Sequence, residues 1–250
     1  MQSKVDAGGF CRMIFCASAA VLQNKQQIND LNVFPVPDGD TGTNMSLTIG
    51  CAAKELRASL PDSVGRAAEI TANALLRGAR GNSGVILSLL FRGFSRALRG
   101  RDYMDGIDFA NALSEGVEAA YKAVMKPAEG TILTVSRLTA VAAREAGEKN
   151  SELESVMVAS IEAAERALQN TVNQNPVLRR AGVIDAGGRG FVVILEGMLS
   201  ALRGATEADY GVMPDSDDGA ASFGAFTDED IKFTYCTEFI VENRDGQDTA

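Results

Sequence analysis

Apolar side chains recur every three or four residues along roughly the first 200 residues, and short glycine- or proline-containing stretches separate the segments. This spacing places one apolar stripe along an α-helix. Two of the stripes are Phe10, Met13, Ile14, Ala17 and Val21, and then Val64, Ala67, Ala68, Thr71 and Leu75. Eight such segments predict eight helices with no intervening strands. The pattern therefore predicts an all-α fold, a compact eight-helix antiparallel bundle or barrel.

Turn-forming residues suggest where several of these helices begin and end. The fourth helix is predicted to start near Asn82, and Pro127 closes the fifth. Gly147 is predicted to stop the next one, at about 131–146, in the manner of a C-cap. The last helix covers about 188–202.

The character of the chain changes after residue 203. Residues 204–230 are rich in Gly, Ala and Asp, which is typical of a linker. Residues 231–241 alternate with period two and predict a strand, which is not stable without a partner. We therefore expect a helical domain over 1–203, a linker, and a truncated middle domain starting in 231–250. On this interpretation the chain is a fragment that ends just inside a second domain.

The composition excludes several kinds of catalytic site, metal site and partner. The formal net charge is −9, and the chain contains no histidine and no tryptophan. Histidine-based triads, histidine general bases and histidine-ligated zinc are thereby excluded from these residues. A metal site would have to use carboxylates, amides, hydroxyls, lysine or cysteine. The acidic balance also argues against a nucleic-acid partner, since phosphate neutralisation needs a basic stripe.

The cysteines and the N-terminal residues bear on the compartment. Cys11, Cys16, Cys51 and Cys236 form no CxxC pair, and we expect them to be reduced and mostly buried, the first three in helix cores. The apolar run at 13–22 is shorter than the about 20 residues of a membrane span, and no signal-peptide pattern precedes it. We expect a cytoplasmic protein without an integral membrane segment.

A proline-rich loop between the first two long helices holds the strongest candidate chemistry. Asp38 and Asp40, on either side of Gly39, can present both carboxylates to one hard cation, and magnesium prefers such oxygen ligands. The next residues open a helix, where backbone N–H groups favour anions. A turn with an Asx cap is the alternative. The candidate phosphate-binding residues here are Thr41, Gly42, Thr43 and Asn44.

Three further glycine-containing turns also run into helices, at 78–84, 127–132 and 182–190. In the first, Arg77 and Arg80 are the basic residues best placed to meet phosphate, although a simple helix cap would look the same. If all four loops gather at one end, they would form a nucleotide site unlike a P-loop. The candidates in these turns are Arg80, Gly81, Asn82, Ser83, Gly130, Thr131, Asp185 and Gly187.

The motifs PVPDGDTGTNM, GARGNSGVIL, KPAEGTILT and GVIDAGGRG, in this order, resemble a known family over about residues 5–202. They are similar to the ATP-binding domain of dihydroxyacetone kinases of the L-subunit type, in the form found at the N-terminus of bacterial fatty acid kinases. The resemblance implies an eight-helix antiparallel barrel that binds ATP or ADP with paired magnesium ions at one end.

The resemblance also implies roles for residues. Asp38 and Asp40 would bind the metal. We expect these two aspartates and Arg80, from its place in the second loop, to be catalytic. The remaining candidates would surround the nucleotide. Two positions depart from the pattern of the dihydroxyacetone subunits: Asn32 stands near the place of an aspartate, which puts a third metal carboxylate in doubt, and Thr41 stands where those subunits carry histidine.

The implied function is transfer of the γ-phosphoryl group of ATP to a fatty acid held by a fatty-acid-binding partner protein. A fatty acid carboxylate is already ionised at pH 7 and needs no base, which suits a chain without histidine. A kinase for dihydroxyacetone or another hydroxyl, and a nucleotide-sensing module without turnover, remain alternatives. A homodimer formed through missing domains is compatible with the resemblance.

Overall fold

The computed structural model describes residues 3–211, and within that range the chain is largely helical. The helices are α1 (Ala7–Gln23), α2 (Lys25–Asp30), α3 (Thr41–Ser59), α4 (Val64–Gly78), α5 (Gly81–Ala97), α6 (Gly106–Ala123), α7 (Ile132–Lys149), α8 (Leu153–Gln174), α9 (Pro176–Ala181) and α10 (Ala186–Leu202). Eight of these are long and confirm the predicted all-α fold. The two six-residue helices, α2 and α9, were not expected from the pattern.

The long helices form a closed ring. Each packs against the next long helix along the chain, and α10 returns to pack against α1. Most of the connections are short, and consecutive long helices run antiparallel. The N-termini of α3, α5, α7 and α10 therefore share one end of the barrel, which we call the loop end. No helix within residues 3–211 is long and apolar enough to cross a membrane.

The interior is filled with apolar side chains, and glycines bring neighbouring helices together. The ring of Phe94 contacts the rings of Phe10 and Phe109, with centroids 6.3 and 6.0 Å apart. At Gly93, a Cβ atom would lie 2.1 Å from the carbonyl oxygen of Glu115, so α5 and α6 are in backbone contact there. Any larger residue at this position would force the two helices apart.

Three smaller features differ from the sequence expectations or were missed by them. Two-residue strands, β1 (Lys4–Val5) and β2 (Met104–Asp105), pair antiparallel. Helix α7 continues through Gly147 to Lys149, so this glycine does not end it; Gly147 is buried and faces α6, where an added Cβ atom would lie 3.8 Å from the Ala110 Cβ, an ordinary contact. Cys51 is exposed, whereas Cys11 and Cys16 are buried as expected.

The C-terminal expectations fall largely outside the described residues. A single 3₁₀ turn, Glu207–Tyr210, follows α10, and just before it the carbonyl of Ala205 accepts a hydrogen bond from Cys16 Sγ of α1 at 3.5 Å. The rest of the predicted linker, the predicted strand at 231–241, Cys236 and the second domain lie beyond residue 211. They stay predictions.

Candidate nucleotide site at the loop end

The four glycine-containing loops gather at the loop end, and close contacts join their helices. A Cβ atom on Gly81 of α5 would lie 2.4 Å from Asn44 Nδ2 of α3. A Cβ atom on Gly190 of α10 would lie 2.4 Å from Met45 Sδ of α3. Gly187 of α10 approaches Ile132 of α7, where a Cβ atom would lie 3.4 Å from the Ile132 Cβ. The predicted site residues therefore lie around one surface.

The loop before α3 leaves both aspartate carboxylates available. Asp38 is exposed and Asp40 is half-buried. Asp40 occupies the N-cap position of α3, but within the described residues its side chain makes no capping hydrogen bond. The Asx-cap alternative is therefore not formed here.

Two asparagines hold the start of α3 in place. Asn32 is buried; its Nδ2 donates to the Val36 carbonyl at 2.6 Å and to Asp38 Oδ1 at 3.1 Å, and its Oδ1 accepts from the Thr41 hydroxyl. Asn32 thus supports the aspartate loop through its amide. This role could not be seen in the sequence.

Asn29, on the unexpected helix α2, does the same for Thr43. Its Oδ1 accepts from Thr43 N and its Nδ2 donates to Thr43 Oγ1, both at 3.1 Å. Close packing adds to this: a Cβ atom on Gly42 would lie 2.1 Å from the Lys25 carbonyl oxygen. Helix α2 therefore supports the first turn of α3 through hydrogen bonds and close packing.

The start of α5 is also free of a side-chain cap within residues 3–211. Its N-cap residue is Arg80, not Asn82, and Gly81 follows with a positive φ of 56°, a conformation that favours glycine. Arg80 is exposed and pairs with no carboxylate of the described residues, whereas Arg77 pairs with Glu55 at 3.2 Å. Of the two predicted arginines, only Arg80 is free to meet an anion.

At the start of α7, by contrast, the polar groups form hydrogen bonds with one another. Thr131 is buried; its hydroxyl donates to the Ala128 carbonyl at 2.7 Å and accepts from Leu133 N at 3.4 Å. The Gly130 amide donates to Thr134 Oγ1 at 2.8 Å, and that hydroxyl donates to Glu129 at 2.8 Å. The Thr134 bond is the main reason why the pKa of Glu129 is lowered.

Asp185 closes the start of α10 in the same internal manner. It is buried, and its carboxylate accepts from Gly188 N at 2.7 Å and from the backbone of Ile132 at the start of α7. Its own amide donates to Thr171 Oγ1 at 3.1 Å. Burial raises the pKa of Asp185 to about 6, partly offset by the two amides. Contact of Thr131 or Asp185 with a nucleotide stays a prediction.

The donor set suits magnesium better than a metal that needs a complete protein cage. Residues 3–211 contain no cluster of three or more cysteine or carboxylate side chains placed to hold a metal ion. Magnesium, however, usually takes one or two carboxylates and fills its other positions with water and substrate phosphates. The carboxylates of Asp38 and Asp40, beside the starts of α3 and α5, fit that requirement.

Comparisons with known proteins agree with this geometry. A family model described as the DAK2 domain matches residues 35–200. Protein YloV of Bacillus subtilis is 43% identical over 243 residues, which cover 95% of this chain and 44% of that protein. An uncharacterized protein of Staphylococcus saprophyticus is 41% identical over 245 residues, or 96% of this chain and 44% of that protein. The chain thus spans less than half the length of these relatives.

A likeness in structure points the same way. The crystal structure of the dihydroxyacetone kinase of C. freundii in its native form superposes with a TM-score of 0.56 over 80% of this chain and 35% of that chain. The sequence identity is 19%, so this likeness concerns the fold. Since the family model covers more than half of the chain, including all four glycine-containing loops, the chain belongs to the DAK2 domain family.

Proposed function

We propose that this chain is an ATP- and magnesium-dependent phosphotransferase domain that transfers the γ-phosphoryl group to the carboxylate of a fatty acid presented by a fatty-acid-binding partner protein. One observation carries the proposal: two helix starts whose N-cap side chains make no capping hydrogen bond lie against each other, next to two available aspartates. Membership of the DAK2 family and the fold shared with a dihydroxyacetone kinase support a kinase-type domain.

The first turns of α3 and α5 would bind phosphate. In α3 the Thr43 amide already donates to Asn29, so the amides of Thr41 and Gly42 would carry this role. Backbone N–H groups in the first turn of a helix lack intrahelical partners, and the helix dipole favours an anion there. In an acidic chain, the guanidinium of Arg80, which pairs with no carboxylate within residues 3–211, adds local positive charge. Asn82 and Ser83, in the first turn of α5, add side-chain donors at the same place.

Asp38 and Asp40 would hold magnesium, whose charge would offset the phosphate charge during transfer. Asn32 keeps Asp38 in place by donating to its carboxylate, and Asn29 keeps the first turn of α3 in place through Thr43. The contribution of the protein is therefore positioning and charge compensation, which is the main requirement of phosphoryl transfer.

The chemistry of the loop end favours an acceptor that is already ionised. No histidine is present in this chain to remove a proton from an alcohol. Asp185 has a raised pKa, but its buried carboxylate accepts bonds from two backbone amides and is not free to act as a base. An oxygen of a fatty acid carboxylate can attack the γ-phosphorus directly, releasing ADP and forming an acyl phosphate.

An acceptor assay on the full-length protein tests the proposal. The protein is mixed with magnesium and ATP labelled at the γ-phosphate, and receives either oleate bound to a bacterial fatty-acid-binding protein or dihydroxyacetone. We expect label to enter an acyl phosphate. Hydroxylamine should then release the labelled phosphate and convert the acyl group to an unlabelled hydroxamate. Labelled dihydroxyacetone phosphate would identify a hydroxyl kinase instead. Binding of ADP without transfer to either acceptor would indicate a nucleotide-sensing module.

A further inference from the structure

A buried hydroxyl joins the starts of α3 and α5. Thr48 lies two turns into α3 and is fully buried. Its Oγ1 donates to the Asn44 carbonyl at 2.6 Å and accepts from the backbone amide of Arg80 at 3.1 Å. One side chain thus bonds the first turn of α3 and the N-cap residue of α5.

The packing around this hydroxyl leaves no room for the two helices to slide. A Cβ atom on Gly84 would lie 2.5 Å from Thr48 Oγ1, and a Cβ atom on Gly81 would lie 2.4 Å from Asn44 Nδ2. Two bare glycine backbones of α5 therefore press against two side chains of α3. The separation of the helix starts is set at these contacts.

The Arg80 amide is the group whose placement matters. It precedes α5 and has no partner inside that helix, so the Thr48 hydroxyl satisfies it. By fixing the peptide that leads into Gly81, the bond also fixes the direction in which the next backbone amides face. A hydroxyl can donate and accept at once, whereas a valine of the same shape can do neither.

From this geometry we infer that Thr48 is a positioning residue that holds the first turns of α3 and α5 in the relative placement needed to bind one polyphosphate. The inference rests on the proposed function, because it concerns the same nucleotide site. Thr48 itself is buried and would touch neither nucleotide nor acceptor.

Three variants separate this role from a purely structural one. Thr48→Val removes the hydroxyl but keeps the shape, and Thr48→Ser keeps the hydroxyl. Thr71→Val is the matched control, because Thr71 is equally buried but its Oγ1 bonds only the Ala67 carbonyl of its own helix, at 2.8 Å. The readouts are the dissociation constant of Mg-ADP by calorimetry and the hydrogen-exchange rate of the Arg80 amide without nucleotide.

We expect Thr48→Val to weaken Mg-ADP binding by about tenfold or more, as for the loss of a buried hydrogen bond, and to speed exchange of the Arg80 amide. Thr48→Ser should stay within about threefold of wild type, since its hydroxyl remains. Thr71→Val should leave both readouts unchanged. If Thr48→Val does not fold, Thr48→Ala, which also lacks the hydroxyl but fits without overpacking, gives the same comparison.

The outcomes distinguish failure of the inference from failure of the proposed function. If wild type binds Mg-ADP and Thr48→Val binds it equally well, Thr48 has no positioning role and the proposed function stands. If wild type does not bind Mg-ADP, the proposed function fails. Exchange of the Arg80 amide still tests the Thr48 hydrogen bond in that case. An unchanged exchange rate in Thr48→Val would show that the hydroxyl does not hold this amide.

Discussion

The two halves of the loop end are built from the same sequence device, a glycine-containing loop that opens a helix, but their polar groups do different things. In the α3–α5 half, neither N-cap side chain bonds its own helix. Asn29 of α2 bonds the Thr43 amide, but Asp38, Arg80 and Asn82 are exposed. In the α7–α10 half, Thr131 and Asp185 are buried and cap the helices themselves. The first half is open to a ligand, whereas the second is closed by its own side chains.

This contrast gives the four loops separate tasks. A side chain that already caps a helix satisfies the amides that would otherwise bind an anion. The α3–α5 half is therefore expected to carry phosphate and metal binding, and the α7–α10 half to hold the barrel together beside it. The following variants test this division, from the largest expected effect to the smallest.

Loss of both aspartates should have the largest effect on binding. We expect Asp38→Ala with Asp40→Ala to abolish measurable Mg-ADP binding by calorimetry, because magnesium would lose both proposed protein carboxylates, while the helical circular dichroism spectrum persists. The matched control is Asp62→Ala with Asp102→Ala, two exposed aspartates in the loops at the opposite end of the barrel. Equal nucleotide affinity in the two double variants would show that Asp38 and Asp40 do not hold the metal.

Substitution of Asp185 should change the pH dependence of the unfolding free energy rather than the affinity for Mg-ADP. Its pKa is about 6 in the folded protein against 3.8 for an unperturbed side chain, so the protonated form is favoured by folding. Wild type should therefore lose stability as pH rises from 4 to 6, by up to about 3 kcal/mol from this group. Asp185→Asn has no carboxyl group at this position, so its unfolding free energy should rise relative to that of wild type as the pH increases from 4 to 6.

Urea unfolding of wild type and Asp185→Asn at several pH values measures this difference. A difference that stays constant between pH 4 and 7 would contradict the buried placement of the carboxyl group. At pH 7 we expect Asp185→Asn to bind Mg-ADP within about twofold of wild type, because an amide oxygen can still accept from the two backbone amides. A large loss of affinity would instead assign Asp185 to the ligand.

Two glycines with positive φ provide the next comparison. Gly81→Ala should lower the unfolding free energy by about 2 kcal/mol and weaken Mg-ADP binding, since its Cβ would collide with Asn44. Gly182→Ala has a similar φ of 68° but no atom near its Cβ, so about 1 kcal/mol and no change in affinity are expected. Equal effects on affinity would mean that the Gly81–Asn44 contact does not matter for binding.

Arg80 and Arg77 should show the smallest contrast. Arg80→Ala should weaken Mg-ADP binding by about tenfold, the loss of one charge-assisted contact, with a steeper change at low salt. Arg77→Ala should change it by less than about twofold, because Arg77 is exposed and paired with Glu55. Titration calorimetry at two salt concentrations measures both. A larger effect at Arg77 would reverse their roles.

Most of the fold could be predicted because the long helices carry clear apolar stripes. The short elements could not: α2 has one buried residue, Ile28, and β1 and β2 have two residues each, so their placement depends on the tertiary packing around them. Gly147 looked like a helix stop because glycine is common there, but α7 continues to Lys149 and the tertiary packing around the residue decides where the helix ends.

The candidate site was predictable as a set of residues but not as an arrangement. The spacing of Asp38 and Asp40 and the glycine loops could be read directly. Asn29, Asn32 and Thr48 could not, because each acts on a residue of another segment or turn that only the fold brings near. Sequence also could not separate a helix start that is capped, as at Asp185, from one that is open, as at Arg80.

Hydrogen exchange of the wild-type protein with and without Mg-ADP tests the division of the loop end most directly. The amides of Gly81, Asn82 and Ser83, at the uncapped start of α5, should gain protection when the nucleotide binds. The amides of Ile132 and Gly188, which already donate to Asp185, should change little. Protection confined to Ile132 and Gly188, with none at residues 81–83, would contradict the account.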